Sequence, residues 1–213
     1  MVTFLLSLIL VVTGRGEDLL FVYPKGKVNT EIVCSGVNGA FYDTKTKNFA
    51  SLIFYRGKWY WWYPDRRFKE LGGLVCYSDG RVVGGYFSLT KDNKLLFNGQ
   101  PFTEKGVEWA LTGGGLFLLD GKLVTSREVM RREGFSSYIV YHRWFSFIVV
   151  FGDGRIGLGV SLGGNTPEGV ARYFKSKGAK FLLRLDGGSS TRYWKDRKPP
   201  KGIHHGFALS PKS

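Results

Sequence analysis

The residues best suited to chemistry lie in Leu185-Asp186-Gly187-Gly188-Ser189-Ser190-Thr191. The apolar run Ala179 to Leu185 reads as a buried strand, so Asp186 falls at a strand end, where clefts form. Two glycines let backbone approach a ligand closely, and the small hydroxyl residues offer donors. A carboxylate so placed can serve as base, nucleophile or anchor for a ligand. The same letters also spell an ordinary turn with Asp186 as its acceptor. Asn38 can hydrogen-bond a ligand through its amide or occupy a left-handed turn. Arg143, like any arginine, carries a fork of donors that suits an anion or a surface ion pair. Thr166 heads a helix whose first N–H groups would suit an anion. Trp59, Trp61 and Trp62 read either as a sugar-stacking platform or as core.

Other chemistries find no support. Cys34, Cys76 and three histidines show no metal-ligand spacing, and no Ser–His pairing is readable. No cofactor or metal is expected. The two cysteines allow one disulfide or two buried thiols.

The elements that must position these residues are mostly strands. Short strands are expected over Leu19–Phe21 and Thr30–Cys34, with Asn38-Gly39 as a hairpin turn by local rules. Leu52 to Tyr63 reads as a hairpin about Arg56-Gly57-Lys58, and further turns are expected at Asp79-Gly80, Asn98-Gly99, Asp120-Gly121 and Asp153-Gly154. Thr125 to Glu128 has capping-box spacing before a short helix stopped by Gly134. A second helix opens with Thr166 as N-cap and Pro167, carries an apolar stripe of Val170, Ala171 and Phe174, and ends at Gly178. The basic tail after Trp194 reads as a loop before a last strand at Phe207 to Leu209. The fold class is therefore α+β: mostly antiparallel β-sheets with about two helices packed against them, in a single domain.

Lys and Arg total 31 against 17 Asp and Glu, a formal charge of +14, which favours polyanionic partners such as nucleic acid, an anionic envelope polymer or a phosphorylated glycan. At 43% hydrophobic and 16% aromatic, the chain of 213 residues can build a core and is not disordered. Phe4 to Val12 is apolar and too short for a membrane helix. It reads as the core of a leader removed near Gly14, with residues 15–213 forming the domain, or as a buried first strand. The first reading implies a secreted or extracytoplasmic protein and the second a cytoplasmic one.

Read outward from Asp186, the chain resembles the phosphodiester glycosidase family. Asn38-Gly39-Ala40-Phe41 matches its early Asn-Gly-x-Phe segment. Gly113-Gly114-Gly115 precedes Leu116-Phe117-Leu118-Leu119-Asp120-Gly121-Lys122, and Arg143 stands ahead of Phe151-Gly152-Asp153-Gly154-Arg155. Gly164-Asn165-Thr166, Gly178 and the Leu-Asp-Gly-Gly-Ser-Ser run complete the order, so the likeness covers roughly Val37 to Leu209. It implies Asp186, Asn38 and Arg143 as the catalytic group. It further implies that Gly39, Phe41, Asp43, Gly114, Thr166, Gly187, Gly188 and Ser190 bind substrate. Two places depart from the family pattern: Arg184 replaces a small polar residue, and Trp144 and Phe145 are bulkier than usual.

The implied activity is hydrolysis of a sugar-1-phosphodiester, resembling GlcNAc-1-phosphodiester, in a glycan or envelope polymer. Ordinary glycosidases use two carboxyl groups because an alkoxide leaves poorly. A phosphate leaves readily once its charge is neutralised, so one carboxylate and a cationic pocket suffice. The rival readings are a non-catalytic module for phosphorylated glycans and, ranked below it, a nucleic-acid binder, for which no recognisable motif exists.

Overall fold

The computed structural model describes residues 8–22, 34–39, 51–61, 70–188, 191–198 and 206–209. Strand β1 (Leu8–Arg15) leads through a single 3-10 turn at Gly16–Asp18 into β2 (Leu19–Val22), followed by β3 (Cys34–Asn38). A run of hairpins comes next: β4 (Ile53–Tyr55), β5 (Lys58–Trp61), β6 (Leu71–Tyr77), β7 (Val82–Leu89), β8 (Leu95–Phe97), β9 (Gln100–Pro101) and β10 (Val107–Thr112). Then follow β11 (Leu116–Leu119), β12 (Lys122–Leu123), α1 (Ser126–Glu133), α2 (Ser137–Tyr141), β13 (Trp144–Phe151) and β14 (Arg155–Leu162). The chain closes with α3 (Pro167–Lys175), β15 (Ala179–Gly187), β16 (Tyr193–Arg197) and β17 (Gly206–Leu209).

These strands form three antiparallel sheets, ordered β1-β14-β13-β15-β11-β12, β5-β4-β10-β6-β7-β8-β9 and β16-β3-β17-β2. One apolar cluster draws on all of them: Phe21, Val37 and Phe207 from the four-stranded sheet, Leu74 and Trp109 from the seven-stranded, and Ile148, Leu158 and Leu183 from the six-stranded. That shared interior makes the molecule one α+β domain. A second cluster covers the other face of the six-stranded sheet, where Val129 of α1 and Val170, Ala171 and Phe174 of α3 pack on Phe147 and Leu182.

Local chemistry explains the expected elements. Arg56-Gly57, Asn98-Gly99 and Asp120-Gly121 all adopt positive φ, the conformation a two-residue hairpin turn requires. Thr125 and Glu128 form the reciprocal capping box of α1, and Gly134 closes it at φ 75°. The Thr166 hydroxyl accepts the Gly169 N–H to cap α3.

Three local expectations change. Helix α2 went unseen because its Ser-Tyr-Ile-Val-Tyr sequence is β-branched and aromatic, with no side-chain cap at Ser136. The tail beyond Trp194 is not simply a loop, since Tyr193–Arg197 pairs with β3. Asn38-Gly39 makes no hairpin: Asn38 ends β3 opposite Gly206 of β17.

The apolar segment ending at Arg15 runs as β1 along the edge of the six-stranded sheet, paired with β14 from Leu8↔Ser161 to Arg15↔Arg155. No helix among the described residues is long and apolar enough to cross a membrane. Cys76 is a free, buried thiol, pushed up to about 12 by desolvation and by the nearby acidic side chains of Glu17, Glu108 and Asp79. The Cys34 side chain lies outside the described residues.

Candidate functional site

Asp186 sits on a β-bulge. Phe145 pairs with Gly187 and Phe147 with Arg184, so β15 carries one residue more than β13 between those pairs. Bulges interrupt a ladder and re-aim side chains, and they recur beside active sites. The break releases the Asp186 N–H from the sheet, and it donates instead to the Gly39 carbonyl at 2.9 Å. The six-stranded sheet is thereby tied to the end of β3.

Asn38 completes the tie. Its backbone N–H donates to the Arg192 carbonyl at 3.0 Å. Its side-chain Oδ1 accepts the Arg192 N–H at 2.9 Å and lies beside the Ser146 hydroxyl, which also reaches the Asp186 carbonyl at 3.2 Å. Two donors on Oδ1 fix the orientation of the amide and leave Nδ2 as the group presented elsewhere. Asn38 is 6% exposed, and Nδ2 is buried with no hydrogen-bond partner among the described residues. A buried amide donor of this kind is costly unless something accepts from it.

Asp186 is 9% exposed, and its Oδ1 accepts the Gly187 N–H at 2.7 Å. Arg184 stands two residues earlier on β15. Burial pulls its guanidinium down to about 10, and the charge of Asp186 opposes that fall. The group therefore stays cationic at neutral pH beside the carboxylate. Its Cζ lies 5.6 Å from the Phe145 ring centroid.

Glycines make this packing feasible. The Gly114 N–H donates to the Arg184 carbonyl at 2.7 Å, and the Arg184 N–H donates to the Gly115 carbonyl at 2.9 Å. A Cβ on Gly113 would stand 2.1 Å from the Arg184 carbonyl oxygen, so only glycine can make this crossing. A Cβ on Gly187 would meet the Trp144 carbonyl at 2.3 Å.

Beside this junction opens a cleft of about 450 Å³ lined by Tyr138, His142, Trp144, Gly188, Thr191 and Arg192. Arg192 links the two, because its backbone holds Asn38 and the residue lines the cleft. Another hollow of about 430 Å³ lies along α1, lined by Arg131 and Arg132 among others. There Arg132 is paired with Glu70 and stacked on Tyr86. No cluster of His, Cys, Asp or Glu that could hold a metal exists among the described residues.

The family described as Phosphodiester glycosidase matches residues 32–206, which hold Asn38, the glycine crossing and the Asp186 bulge. The chain belongs to the phosphodiester glycosidase family. Its fold is similar to that of the zebrafish N-acetylglucosamine-1-phosphodiester α-N-acetylglucosaminidase catalytic domain, auto-inhibited by its pro-peptide. That match has a TM-score of 0.68 and 17% identity, covering 92% of this chain and 73% of the other. A hypothetical protein from Synechocystis aligns at TM-score 0.55 and 12% identity, over 95% of this chain and 61% of that one. No curated protein matches the chain in sequence.

Among the residues singled out from sequence, Asn38, Gly39, Asp186 and Gly187 meet at the junction. Gly114 supports it through Arg184, and Gly188 lines the cleft. Thr166 caps α3 and is not a cleft residue. Arg143 is exposed between His142 and Trp144 and does not line the cleft either. Phe41, Asp43 and Ser190 lie outside the described residues, as does Trp62 and the side chain of Trp61. Trp59 packs on Phe54 and Phe102 and donates its indole N–H to Glu104, so it serves the seven-stranded sheet rather than a sugar platform.

Sequence reading missed Ser146, His142, Tyr138 and Arg192. Ser146 is a hydroxyl in an otherwise apolar strand, Phe145 to Phe151, and that interruption was the available signal. The other three become neighbours only through the fold.

Proposed function

We propose that this protein hydrolyses sugar-1-phosphodiesters, in the manner that the name of its zebrafish neighbour describes for N-acetylglucosamine. The observation carrying the proposal is the junction of Asn38 and Asp186. It joins a buried amide donor without a partner among the described residues to a carboxylate, with the guanidinium of Arg184 and the cleft residue Arg192 adjacent.

In this reading the C1–O bond breaks and the phosphate leaves as a monoester that keeps the bridging oxygen. Oxygen from water ends on C1. Asp186 acts at the anomeric carbon as base or nucleophile, and Asn38 Nδ2 donates to a sugar hydroxyl. Cationic groups neutralise the departing phosphate, which needs charge stabilisation more than a proton. The net charge of +14 would concentrate the protein on phosphate-bearing glycans, including an anionic envelope polymer if it is exported.

The test is a cleavage screen over sugar-1-phosphodiesters that reads free reducing sugar. Release by the wild type and not by Asp186→Asn supports the proposal. Saturable glycan binding with no release from any substrate would replace it with a non-catalytic binding module.

A further inference from the structure

The hollow along α1 lies apart from the Asp186 junction. Asp120 stands in its wall and pairs with Lys180 at 3.5 Å. Lys180 and Asp186 are near opposite ends of β15, about 20 Å apart at the usual rise of a strand. The hollow encloses about 430 Å³ over an aliphatic floor of half-buried Leu119, Leu123 and Val124. Its walls are charged. Lys122 follows the Asp120-Gly121 turn, and Glu128, Arg131 and Arg132 share one face of α1 because their spacing is that of helical neighbours.

Some of these charges are already engaged. One oxygen of Glu128 accepts the Thr125 N–H at 2.8 Å and the Thr125 hydroxyl at 2.7 Å, and these bonds hold the carboxyl below the usual glutamate range. Asp120 has Lys180. Arg132 donates to Glu70 and lies 3.7 Å from the Tyr86 ring centroid, which fixes its guanidinium as part of the wall. Arg131 and Lys122 remain. Neither has a carboxylate within ion-pair distance among the described residues. Two spare cations in a concave site suit an anion, and together they offer a phosphate a fork of donors and a point charge.

The floor narrows the choice of anion. Aliphatic side chains suit the C–H face of a sugar that carries the phosphate. A nucleotide is served less well, because Tyr86, the one ring among the described lining residues, is 4% exposed and covered by Arg132. A base therefore has no aromatic face to stack on. We propose that this hollow is a remote docking site for a sugar–phosphate chain, in which Arg131 and Lys122 take a phosphate several repeats from the linkage at Asp186. A single phosphodiester cannot reach both places, whereas a polymer spans them. Taking that polymer as the substrate rests on the hydrolytic reading of Asp186; the docking itself does not.

The experiment uses a dimer and a decamer of N-acetylglucosamine 1-phosphate joined through the 6-hydroxyl. Lys122→Gln combined with Arg131→Gln should lower kcat/KM for the decamer by roughly 5-fold, the scale of two exposed ion pairs, and leave the dimer unchanged. The loss should lie in KM and shrink at high salt. Calorimetric titration of the decamer into the Asp186→Asn protein, with and without the two substitutions, should show the same loss in Kd without any turnover. Arg81→Gln combined with Arg155→Gln removes equal charge away from the hollow and should change that Kd by no more than about 2-fold. An equal loss in this control would overturn the site in favour of the general field of the protein. So would a decamer Kd that the Lys122 and Arg131 substitutions do not move. A single-stranded oligodeoxynucleotide of matched charge that binds as tightly, and is weakened as much, would overturn the sugar–phosphate assignment. If neither oligomer is cleaved but the decamer Kd shows the expected loss, the hydrolytic reading falls and the docking site stands.

Discussion

Glu133 and Asp186 are both buried carboxylates close to the Gly113-Gly114-Gly115 crossing, and they differ in what their oxygens do. At the end of α1, Glu133 is 0% exposed, and each oxygen accepts a backbone N–H, from Gly72 at 2.7 Å and Leu116 at 3.0 Å. It stitches two sheets where no ladder could. A Cβ on Gly72 would come within 2.9 Å of both carboxylate oxygens, so nothing larger than glycine fits there. Asp186 instead sits on a bulge next to a cleft, with an amide donor and a guanidinium close by. Burial alone therefore does not mark a catalytic carboxylate. What distinguishes Asp186 is its place next to a cleft and beside the Asn38 amide, whose Nδ2 has no partner among the described residues.

The largest expected effect breaks that comparison in one step. Asp186→Asn should lower kcat by about 10²–10⁴-fold, the usual contribution of a positioned base or nucleophile. Its melting temperature should stay close to wild type. A folded variant with undiminished turnover would return Asp186 to a turn-forming role.

Much of this contrast could be read from sequence. Asp186 and Asn38 stand out because each precedes glycine beside an apolar run, and the capped helices and glycine turns follow from local rules. Glu133 gave no signal, since a glutamate before a helix-stopping glycine is usually solvated. Asn38 also looked like a turn residue. Its actual role as a strand end depends on pairing with β17 and on Ser146, contacts that no local rule contains. The cleft escaped for the same reason: Tyr138 and Trp144 meet across His142 only once α2 forms, and α2 has a strand-like composition.

The next effect concerns the frame that carries both carboxylates. Removing residues 2–14 strips β1 from β14 and takes away Val12, which packs on the shared core. The Gly16 carbonyl, held at 2.7 Å by the buried Trp109 indole N–H, would lose the strand that leads into it. We expect the melting temperature to fall by roughly 10 °C, corresponding to about 3 kcal/mol in a domain of this size. The newly bare β14 edge should also promote self-association. An equally stable, monomeric and active product would show that the segment is dispensable, as a removable leader would be.

Glu133→Gln tests the structural carboxylate. One oxygen remains to accept, but the amide NH₂ faces a backbone N–H, so stability should fall by about 1–3 kcal/mol at pH 4.5. Turnover per folded molecule should not change. Desolvation pushes the Glu133 carboxyl up to about 7, against the pull of its two N–H donors. A folded pKa raised above the unfolded 4.5 means that this group's contribution is complete below pH 4.5 and is lost as pH rises through about 7. Glutamine has no such loss. The deficit of the variant should therefore narrow across that window, with all other carboxylates cancelling in the difference. Denaturant unfolding at pH 4.5, 6 and 8 measures it, and a deficit that stays constant would show that Glu133 does not titrate there.

The smallest effect sharpens the Asp186 side, by asking which arginine meets the phosphate. Arg143 and Arg192 carry the same charge, but only Arg192 lines the cleft, and only its backbone orients Asn38. Arg143 stands exposed in water, where its field is screened within about 8 Å at physiological salt. Arg192→Ala should raise KM for the phosphodiester by roughly 10-fold while keeping the backbone bond to Asn38, since that bond uses no side-chain atom. Arg143→Ala should raise it by no more than about 2-fold, and that increase should vanish at high salt, as expected of an exposed charge. Measuring both KM values at low and high ionic strength separates a contact from a distant field. A larger, salt-resistant loss at Arg143 would place the phosphate on the outer side of Trp144, away from Arg192.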